Sequence, residues 1–390
     1  MQRLGVLGGT FDPIHRGHVH LAEAVLKAGF ADKVVFLPMG RPAHRETESG
    51  GAERLAMCRL ALEGKENMAL SEAGMAPGVR YTADTLPLLK KEFPGDQLLL
   101  ILGADKLRAL PEWKGAKTLF EQCDFLIYPR DGIETEKTLE KAQKAGARAE
   151  IMAEAELLPF SSTEIRREAH RYEDSMGVDR RVLCYMAEHG LYQKNYLPKL
   201  KLMMNPRRFQ HTLGVRQEAI RLADKHGVAI QKAALAGLLH DCAKGMSQKE
   251  MEKIARSHHL MEDEAMLSSG ALMHGPVGAY LAKKQFGIED EDVLNAIRYH
   301  TVGRPGMSML ELCIFVADAT EPNREDYEGL PEIRALSEIS LPAAALKSMQ
   351  YTQAFLERTG RPFFSIALDT MNDLESRLSP EIKNKLNQPI

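Results

Sequence analysis

The sequence predicts an α/β domain built on a parallel sheet, followed by an all-helical domain. Three observations carry that expectation. Up to about residue 195, short apolar runs alternate with amphipathic stretches, the order of parallel strands with covering helices. From about residue 199 the apolar residues recur at helical spacing, with glycines where helices would stop and no strand alternation. The 390 residues also exceed one typical core, which makes two domains the starting expectation. The joint is placed near Tyr196–Pro198, in the polar, proline-containing "YQKNYLPKLK", so the domains run 1–195 and 196–390.

In the first half, "RLGVLGG", "KVVFLPMG", "QLLLILGAD" and "CDFLIYPRD" read as strands, with "HVHLAEAVLKAG" and "ERLAMCRLALEG" as helices. A ligand site is then expected at the carboxyl ends of the strands. The first strand runs into "GGTFDPIHRGH", where Gly8 and Gly9 lack the Cβ that would keep a backbone away from a phosphate. A helix beginning here offers its unpaired N–H groups and positive dipole end to an anion. His15 and His18, three residues apart, share one face of its first turn. Each imidazole can donate to a phosphate oxygen and can be cationic beside several negative charges. The lysine of a Walker loop is missing. His20 reads as an ordinary helix residue.

In the second half, "RRFQHTLGVRQEAIRLADKHG", "IQKAALAGLLHDCAKG", "HGPVGAYLAKKQFG" and "EDVLNAIRYH" read as helices. His211, His240, Asp241, His274, His300 and Asp318 lie on successive expected helices or at their ends, in apolar sequence where an unpaired polar group is costly. Four histidines and two carboxylates make a ligand set for two metals, with Asp241 as the bridge. Two such ions would acidify a water between them and neutralise phosphoryl oxygens under attack. Imidazole with carboxylate suits iron or manganese better than a thiolate-bound structural zinc, and iron is the favoured metal. Lys244 and Arg304 are expected phosphate contacts, whereas His258 and His259 in "RSHHL" read as surface residues. The last dozen residues, "SPEIKNKLNQPI", are expected to fray.

Composition narrows the classes. Lys+Arg 51 against Asp+Glu 54 leave a formal charge of −3, which gives no electrostatic reason to expect nucleic acid as a partner. Cys58, Cys123, Cys184, Cys242 and Cys313 are odd in number, scattered and free of any CxxC pair, as in a reduced cytoplasmic protein. No stretch reaches the roughly 18 apolar residues of a membrane span. Oligomeric state is not legible.

His15-Arg16-Gly17-His18 matches the HxGH signature of the nucleotidyltransferase superfamily, and the longer string resembles the bacterial nicotinate-nucleotide adenylyltransferases. Further segments follow in that family's order. "FLPMGRPAHR" is similar to its phosphate-binding segment, with His44-Arg45 where the family usually has His-Lys. "VRYTADTL" resembles its substrate segment, though the family commonly has serine near Arg80. "LILGADKLRALPEWK" carries the GAD triplet and the only tryptophan, and "LPFSSTEIRR" resembles the closing motif. The resemblance covers residues 1–192 and implies a Rossmann-like nucleotidyltransferase domain. Its implied substrate contacts are Gly8, Gly9, Thr10, Phe11, His44, Arg45, Thr82, Asp84, Thr85, Gly103, Asp105, Trp113, Ser161, Ser162 and Thr163, with His15, His18 and Arg166 catalytic. The implied reaction joins ATP, carried with Mg²⁺, to nicotinate mononucleotide, giving deamido-NAD and pyrophosphate. Because the attacking phosphate is already an anion, donors are needed more than bases. Trp113 would stack on the pyridine ring, and Arg166 would grip phosphate in a bidentate way. A different acceptor, such as phosphopantetheine, would keep the same fold.

The order H…HD…H…H…D resembles the HD-domain metal phosphohydrolases. Its context, "HTLGV", "LLHDCAK", "HGPVGA", "YHTVGRPGMS" and "FVADATEPNR", is similar to the HD-type symmetrical bis(5′-nucleosyl)-tetraphosphatases over about residues 200–330. That implies an all-α HD domain cleaving diadenosine tetraphosphate to two ADP, with Asp241 catalytic. The rival readings are a regulatory module that senses a nucleotide without cleaving it and a hydrolase of another nucleotide.

Overall fold

The computed structural model describes residues 2–40, 46–129, 135–152, 157–261, 266–267 and 269–386. His44 and Arg45 lie outside the described residues. The chain divides into two compact units, one formed by 1–168 with 175–182 and the other by 169–174 with 183–390.

The first unit is built on a parallel sheet of β1 (Arg3–Gly9), β2 (Lys33–Pro38), β3 (Met68–Leu70), β4 (Gln97–Gly103), β5 (Asp124–Tyr128) and β6 (Arg148–Ile151). Their spatial order is β3-β2-β1-β4-β5-β6. Central strands covered on both faces read as unbroken apolar runs, and β1, β2, β4 and β5 do so. Edge strands β3 and β6 have only three and four residues, and "RAEI" alternates charge with small apolar groups, so sequence periodicity missed them. Helices α1 (Arg16–Lys27), α2 (Gly51–Leu62), α3 (Thr82–Glu92), α4 (Ala104–Leu107), α5 (Ala116–Gln122) and α6 (Thr135–Lys144) accompany the strands. They are followed by α7 (Ser162–His170) and by α8 (Arg180–His189), most of which, from Leu183 on, belongs to the second unit. Leu4, Val6, Leu98, Leu100, Phe125 and Ile127 form the centre of the core. The strand order reverses between β1 and β4, which opens a crevice at their carboxyl ends, where Gly8–Gly9 and Gly103 stand.

The second unit is helical throughout its described residues: α9 (Leu197–Met203), α10 (Pro206–His226), α11 (Ile230–Leu239), α12 (Gln248–Ser257), α13 (Gly270–Phe286), α14 (Glu291–Tyr299) and α15 (Met309–Thr320). Then come α16 (Leu330–Ser337), α17 (Leu341–Arg358), α18 (Ser365–Ser376) and α19 (Pro380–Leu386). The starts are capped as their sequences suggest. Asn205 accepts from Arg208 N with Pro206 in the first turn, and Ser308 pairs with Glu311 in a capping box. Gly227 and Gly287, at φ 69° and 72°, end α10 and α13 in the left-handed conformation that glycine adopts without penalty. Helices α11 and α15 are buried nearly all round and form the middle of the unit. Tyr196, at the expected joint, caps α9 and is buried, its hydroxyl donating to Phe286 O at 2.9 Å. Of the last dozen residues, the described stretch Pro380–Leu386 forms α19, and Leu386 is buried. No helix among the described residues is long and apolar enough to cross a membrane.

Candidate active sites

In the first unit, β1 delivers the chain to Gly8, where an added Cβ would meet nothing within 4 Å, leaving open space for a close ligand. At Gly9 a Cβ would instead touch the Phe11 ring at 3.0–3.3 Å. His15 caps α1, and its ring stacks on that of His18 with centroids 3.6 Å apart. The His15 backbone N–H donates to His18 Nδ1 at 3.2 Å, so Nε2 of a neutral His18 carries the proton. A Cβ on Gly17 would come within 3.0 Å of His15 Nδ1, so a side chain there would press on that ring. The signature is therefore one packed object, two stacked imidazoles folded over a residue without a side chain.

The opening of α7 is bound to this loop. Ser162 Oγ donates to Pro13 O at 2.8 Å, and Arg166 Nη1 donates to Asp12 O at 2.7 Å. Arg166 Nε also donates to Glu48 Oε1 at 2.5 Å, so a bidentate grip on phosphate requires Glu48 to give way. The Asp12 carboxylate, itself buried, accepts from Ser49 Oγ at 2.5 Å and Glu48 N at 2.8 Å. Arg54, fully buried on α2, donates to Thr10 O and Met39 O at 2.7 Å and to Gly40 O at 2.8 Å. It joins the strand-end loops of β1 and β2, and no sequence pattern singled it out. Ser161 Oγ accepts from Glu164 N at 3.2 Å, and Thr163 is exposed beside it.

The middle segments differ from expectation in part. Thr82 opens α3, but the Asp84 carboxylate caps that helix, accepting from Tyr81 N at 2.9 Å and Arg80 N at 3.0 Å, bonds that hold its pKa down. The Thr85 side chain is fully buried and donates to Thr82 O at 2.7 Å, so a contact with substrate at this position would have to come from the backbone. Gly103 caps α4, and Asp105 pairs with Lys106 at 3.3 Å. Trp113 is half-buried and packs against the core of this unit. A cleft of about 880 Å³ is walled by Gly40, Gly51, Gly74 and Gly78, with Leu55 and Arg80.

In the second unit, His211 comes from α10, His240 and Asp241 from the end of α11, His274 from α13, His300 from the end of α14 and Asp318 from α15. All six lie together. Asp241 Oδ2 faces His240 Nε2 at 3.4 Å and His211 Nε2 at 3.8 Å. Its Oδ1 faces His274 Nε2 at 3.3 Å and His300 Nε2 at 3.8 Å. One carboxylate thus looks at two histidine pairs, one per oxygen. Asp318 Oδ1 closes the first side at 3.0 Å from His211 Nε2. Ligand atoms within 4.8 Å of one another form two triads, His211–His240–Asp318 and His240–Asp241–His300.

The outer nitrogens are fixed. Nδ1 of His240 meets Gly237 O at 2.8 Å, that of His300 meets Ile297 O at 2.7 Å, and that of His211 meets Glu321 Oε1 at 3.0 Å. With the proton held on Nδ1, each Nε2 lone pair is turned inward. The Nε2 atoms of His211 and His240 are buried without a hydrogen-bond partner. Orphaned lone pairs facing buried carboxylates fit divalent cations. Burial, together with neighbouring His300 and Lys244, holds His274 down to about 3, and burial with His240 holds His300 down to about 4. Burial alone would lower His240 too, but Asp241 and Asp318 keep it raised, while the surrounding histidines hold Asp241 well below the usual carboxylate range.

Glycines allow these approaches. A Cβ on Gly275 would come within 2.6 Å of Arg298 O, and one on Gly237 within 3.1 Å of the Arg216 backbone. A Cβ on Gly214, three residues after His211, would overlap Glu321 Oε2. Glu321 and Arg208 were missed by sequence reasoning, although each sits three positions from a proposed ligand. Arg208 Nη1 donates to Asp241 Oδ2 at 2.7 Å. Lys244 lines the adjoining cleft of about 630 Å³, its Nζ 3.2 Å from the His274 ring nitrogens. Arg304 forms a two-pronged pair with buried Glu311, at 2.7 and 3.2 Å, because Glu311 closes the cap of α15 and needs a counter-charge. His258 stacks on Tyr280, and His259 is exposed.

Comparison with known proteins gives concordant matches. Residues 6–168 match the cytidylyltransferase-like family and residues 208–323 the HD domain family. A Mycoplasma pneumoniae protein named "Probable nicotinate-nucleotide adenylyltransferase/Ap4A hydrolase" is 30% identical over 343 residues, covering 88% of this chain and 95% of that one. The symmetrical bis(5′-nucleosyl)-tetraphosphatase of Bacillus subtilis is 41% identical over 177 residues, 45% of this chain and 94% of that one. A Neisseria meningitidis protein named "Probable nicotinate-nucleotide adenylyltransferase" is 36% identical over 203 residues, 50% of this chain and all of that one.

Proposed function

This chain belongs to the family of fused nicotinate-nucleotide adenylyltransferase/Ap4A hydrolases, and from that premise we propose two reactions, one for each half. Residues 1–195 would transfer adenylate from ATP, carried with Mg²⁺, to nicotinate mononucleotide. A phosphate oxygen of the mononucleotide attacks the α-phosphorus of ATP, the bond to the β-bridging oxygen breaks, and pyrophosphate leaves. The residues hold two mutually repelling anions in line and meet the charge on the transferring group. His18 Nε2–H and the His15 ring, the N–H groups opening α1, and Arg166 once released from Glu48 are the donors.

Residues 196–390 would hydrolyse diadenosine tetraphosphate symmetrically. His211, His240 and Asp318 would hold one metal ion and His274 and His300 the other, with Asp241 between them. The mixed imidazole and carboxylate set favours iron. Bound there, the pair would acidify a water and neutralise phosphoryl oxygens. The water oxygen bonds to one of the two central phosphorus atoms, the bond to the central bridging oxygen breaks, and two ADP result. Arg208, Lys244 and Arg324 line the cleft with positive charge and would receive the phosphates.

The observation that carries the hydrolase reading is Asp241, with one oxygen toward each histidine pair. Metal analysis of the purified chain, with assays of both reactions, tests it. Two metal ions per chain and ADP as sole product from diadenosine tetraphosphate are expected. Binding of that nucleotide without cleavage would overturn it in favour of a sensing module. For the first half, pyrophosphate release with phosphopantetheine but not with nicotinate mononucleotide would overturn the assignment of the acceptor.

A further inference from the structure

The cleft of about 630 Å³ that opens on Asp241, His274 and His300 has a far wall that the hydrolytic reading leaves unused. That wall is α17, which lies beyond the HD match ending at residue 323. The first half of α17 is buried through Leu341 and Ala343–Leu346. From Ser348 onward one stripe faces the cleft: Ser348, Tyr351, Thr352, Phe355 and finally Arg358, at helical spacing. Ser348 to Phe355 spans about 10 Å along the helix axis.

The aromatic rings are held in place. Tyr351 Oη donates to Glu332 Oε2 at 2.7 Å, and its ring lies so close to Gly329 that any side chain there would overlap it. Tyr327, on the same cleft, donates to Ala319 O at 2.9 Å. Phe355 is 45% exposed and Tyr327 37% exposed, so aromatic surface lies open on this cleft. Arg208, Lys244 and Arg324 stand at the metal-ligand end, while near the far end Arg358 is 3.5 Å from Glu328 and the Arg361 guanidinium lies 5.9 Å from the centre of the Phe355 ring. Cations beside the ligands and aromatic faces beyond them match the order of a nucleoside diphosphate, phosphates inward and base outward. A neighbouring cleft of about 830 Å³ shares Arg208, Arg324 and Tyr327 and has room for a second such group.

We propose that Phe355 and Tyr351 of α17, with Tyr327, are the platform on which the base of one nucleoside diphosphate half of the substrate stacks. They are specificity residues, selecting a nucleotide over bare polyphosphate. The inference rests on the hydrolase reading for the kind of ligand, but it can fail independently.

The test compares ADP with inorganic pyrophosphate, both titrated calorimetrically into the metal-loaded full chain, beside an assay of diadenosine tetraphosphate hydrolysis. Phe355→Ala should weaken ADP binding about 5- to 150-fold, the range for one aromatic–base stack, and leave pyrophosphate binding within about twofold. Phe355→Trp should restore ADP binding. Tyr351→Phe keeps the ring and should behave as wild type, while Tyr351→Leu should follow Phe355→Ala. Unchanged ADP affinity in Phe355→Ala would overturn the platform, as would an equal loss for both ligands. If wild type does not hydrolyse the dinucleotide, the hydrolase reading fails, and the ADP-to-pyrophosphate comparison still decides the platform.

Discussion

Gly214→Ala isolates what holds His211 in place. Gly214 sits in α10, one turn beyond His211, and the space a Cβ would fill is occupied by the Glu321 carboxylate. An alanine Cβ would overlap Glu321 Oε2 and would lie 3.1 Å from its Cδ and 3.0 Å from Asn323 Nδ2. Glu321 is 1% exposed and its Oε2 also accepts from Asn323 N at 2.6 Å, so the carboxylate has no free direction in which to relax. Moving it breaks the 3.0 Å contact that keeps the proton on His211 Nδ1 and the Nε2 lone pair inward. Losing such an orienting partner typically costs 10- to 100-fold in metal affinity, about 1.4–2.7 kcal/mol, and the overlap adds a stability loss of about 1–3 kcal/mol. Competition against a graded chelator would measure the first and denaturant unfolding the second, with adenylyl transfer as the control expected to stay unchanged. Glu321→Ala should reproduce the affinity loss without the overlap. Wild-type metal affinity in both variants would refute the orienting role, and wild-type affinity in Gly214→Ala alone would show that the overlap is absorbed elsewhere.

Other perturbations read the remaining parts. Asp241→Ala should abolish paired metal occupancy and hydrolysis together, about 3 kcal/mol or more of affinity, while adenylyl transfer persists; loss of both activities in parallel assays would show coupling. His18→Ala should lower the adenylyl-transfer rate constant by about 100-fold or more with little change in mononucleotide binding, and Gly17→Ala should mimic part of that loss by pushing the His15 ring off its stack, both read by steady-state kinetics. Arg54→Met strips buried carbonyls of Thr10, Met39 and Gly40 of a donor and should destabilise the first unit by roughly 3 kcal/mol or more in denaturant unfolding. Burial pushes the thiols of Cys58, Cys123 and Cys242 up to about 12 and raises that of Cys313 as well. At pH 8 a thiol reagent should therefore label Cys184 alone in the native chain and all five after denaturation. Because folding raises these pKa values, their stabilisation is complete below about 8.5 and is lost as pH climbs toward 12, which alkaline unfolding would show.

Much of this was legible from residue type and spacing alone. Strands β1, β2, β4 and β5 announce themselves because a covered central strand must be apolar throughout. Histidines and aspartates in apolar helices announce themselves because burying them without a purpose is costly. Short edge strands carry no such signal, since β6 needs only backbone partners on one side, and its four residues look like loop. Residue type also misleads where packing decides the outcome. The Thr85 side chain faces inward and leaves its backbone as the group that could meet a ligand, and Arg304, expected at a phosphate, pairs with Glu311. The chemistry available to this protein was thus determined by the sequence itself, because few side chains can stabilise a transferring phosphoryl group or hold a metal. Which lone pair faces which oxygen was decided only by tertiary structure. Glu321 and His211 stand 110 residues apart, Arg166 and Asp12 stand 154 apart, and no local pattern couples them. Their orientation comes from close packing around glycines and fixed hydrogen bonds, which exist only once the chain has folded.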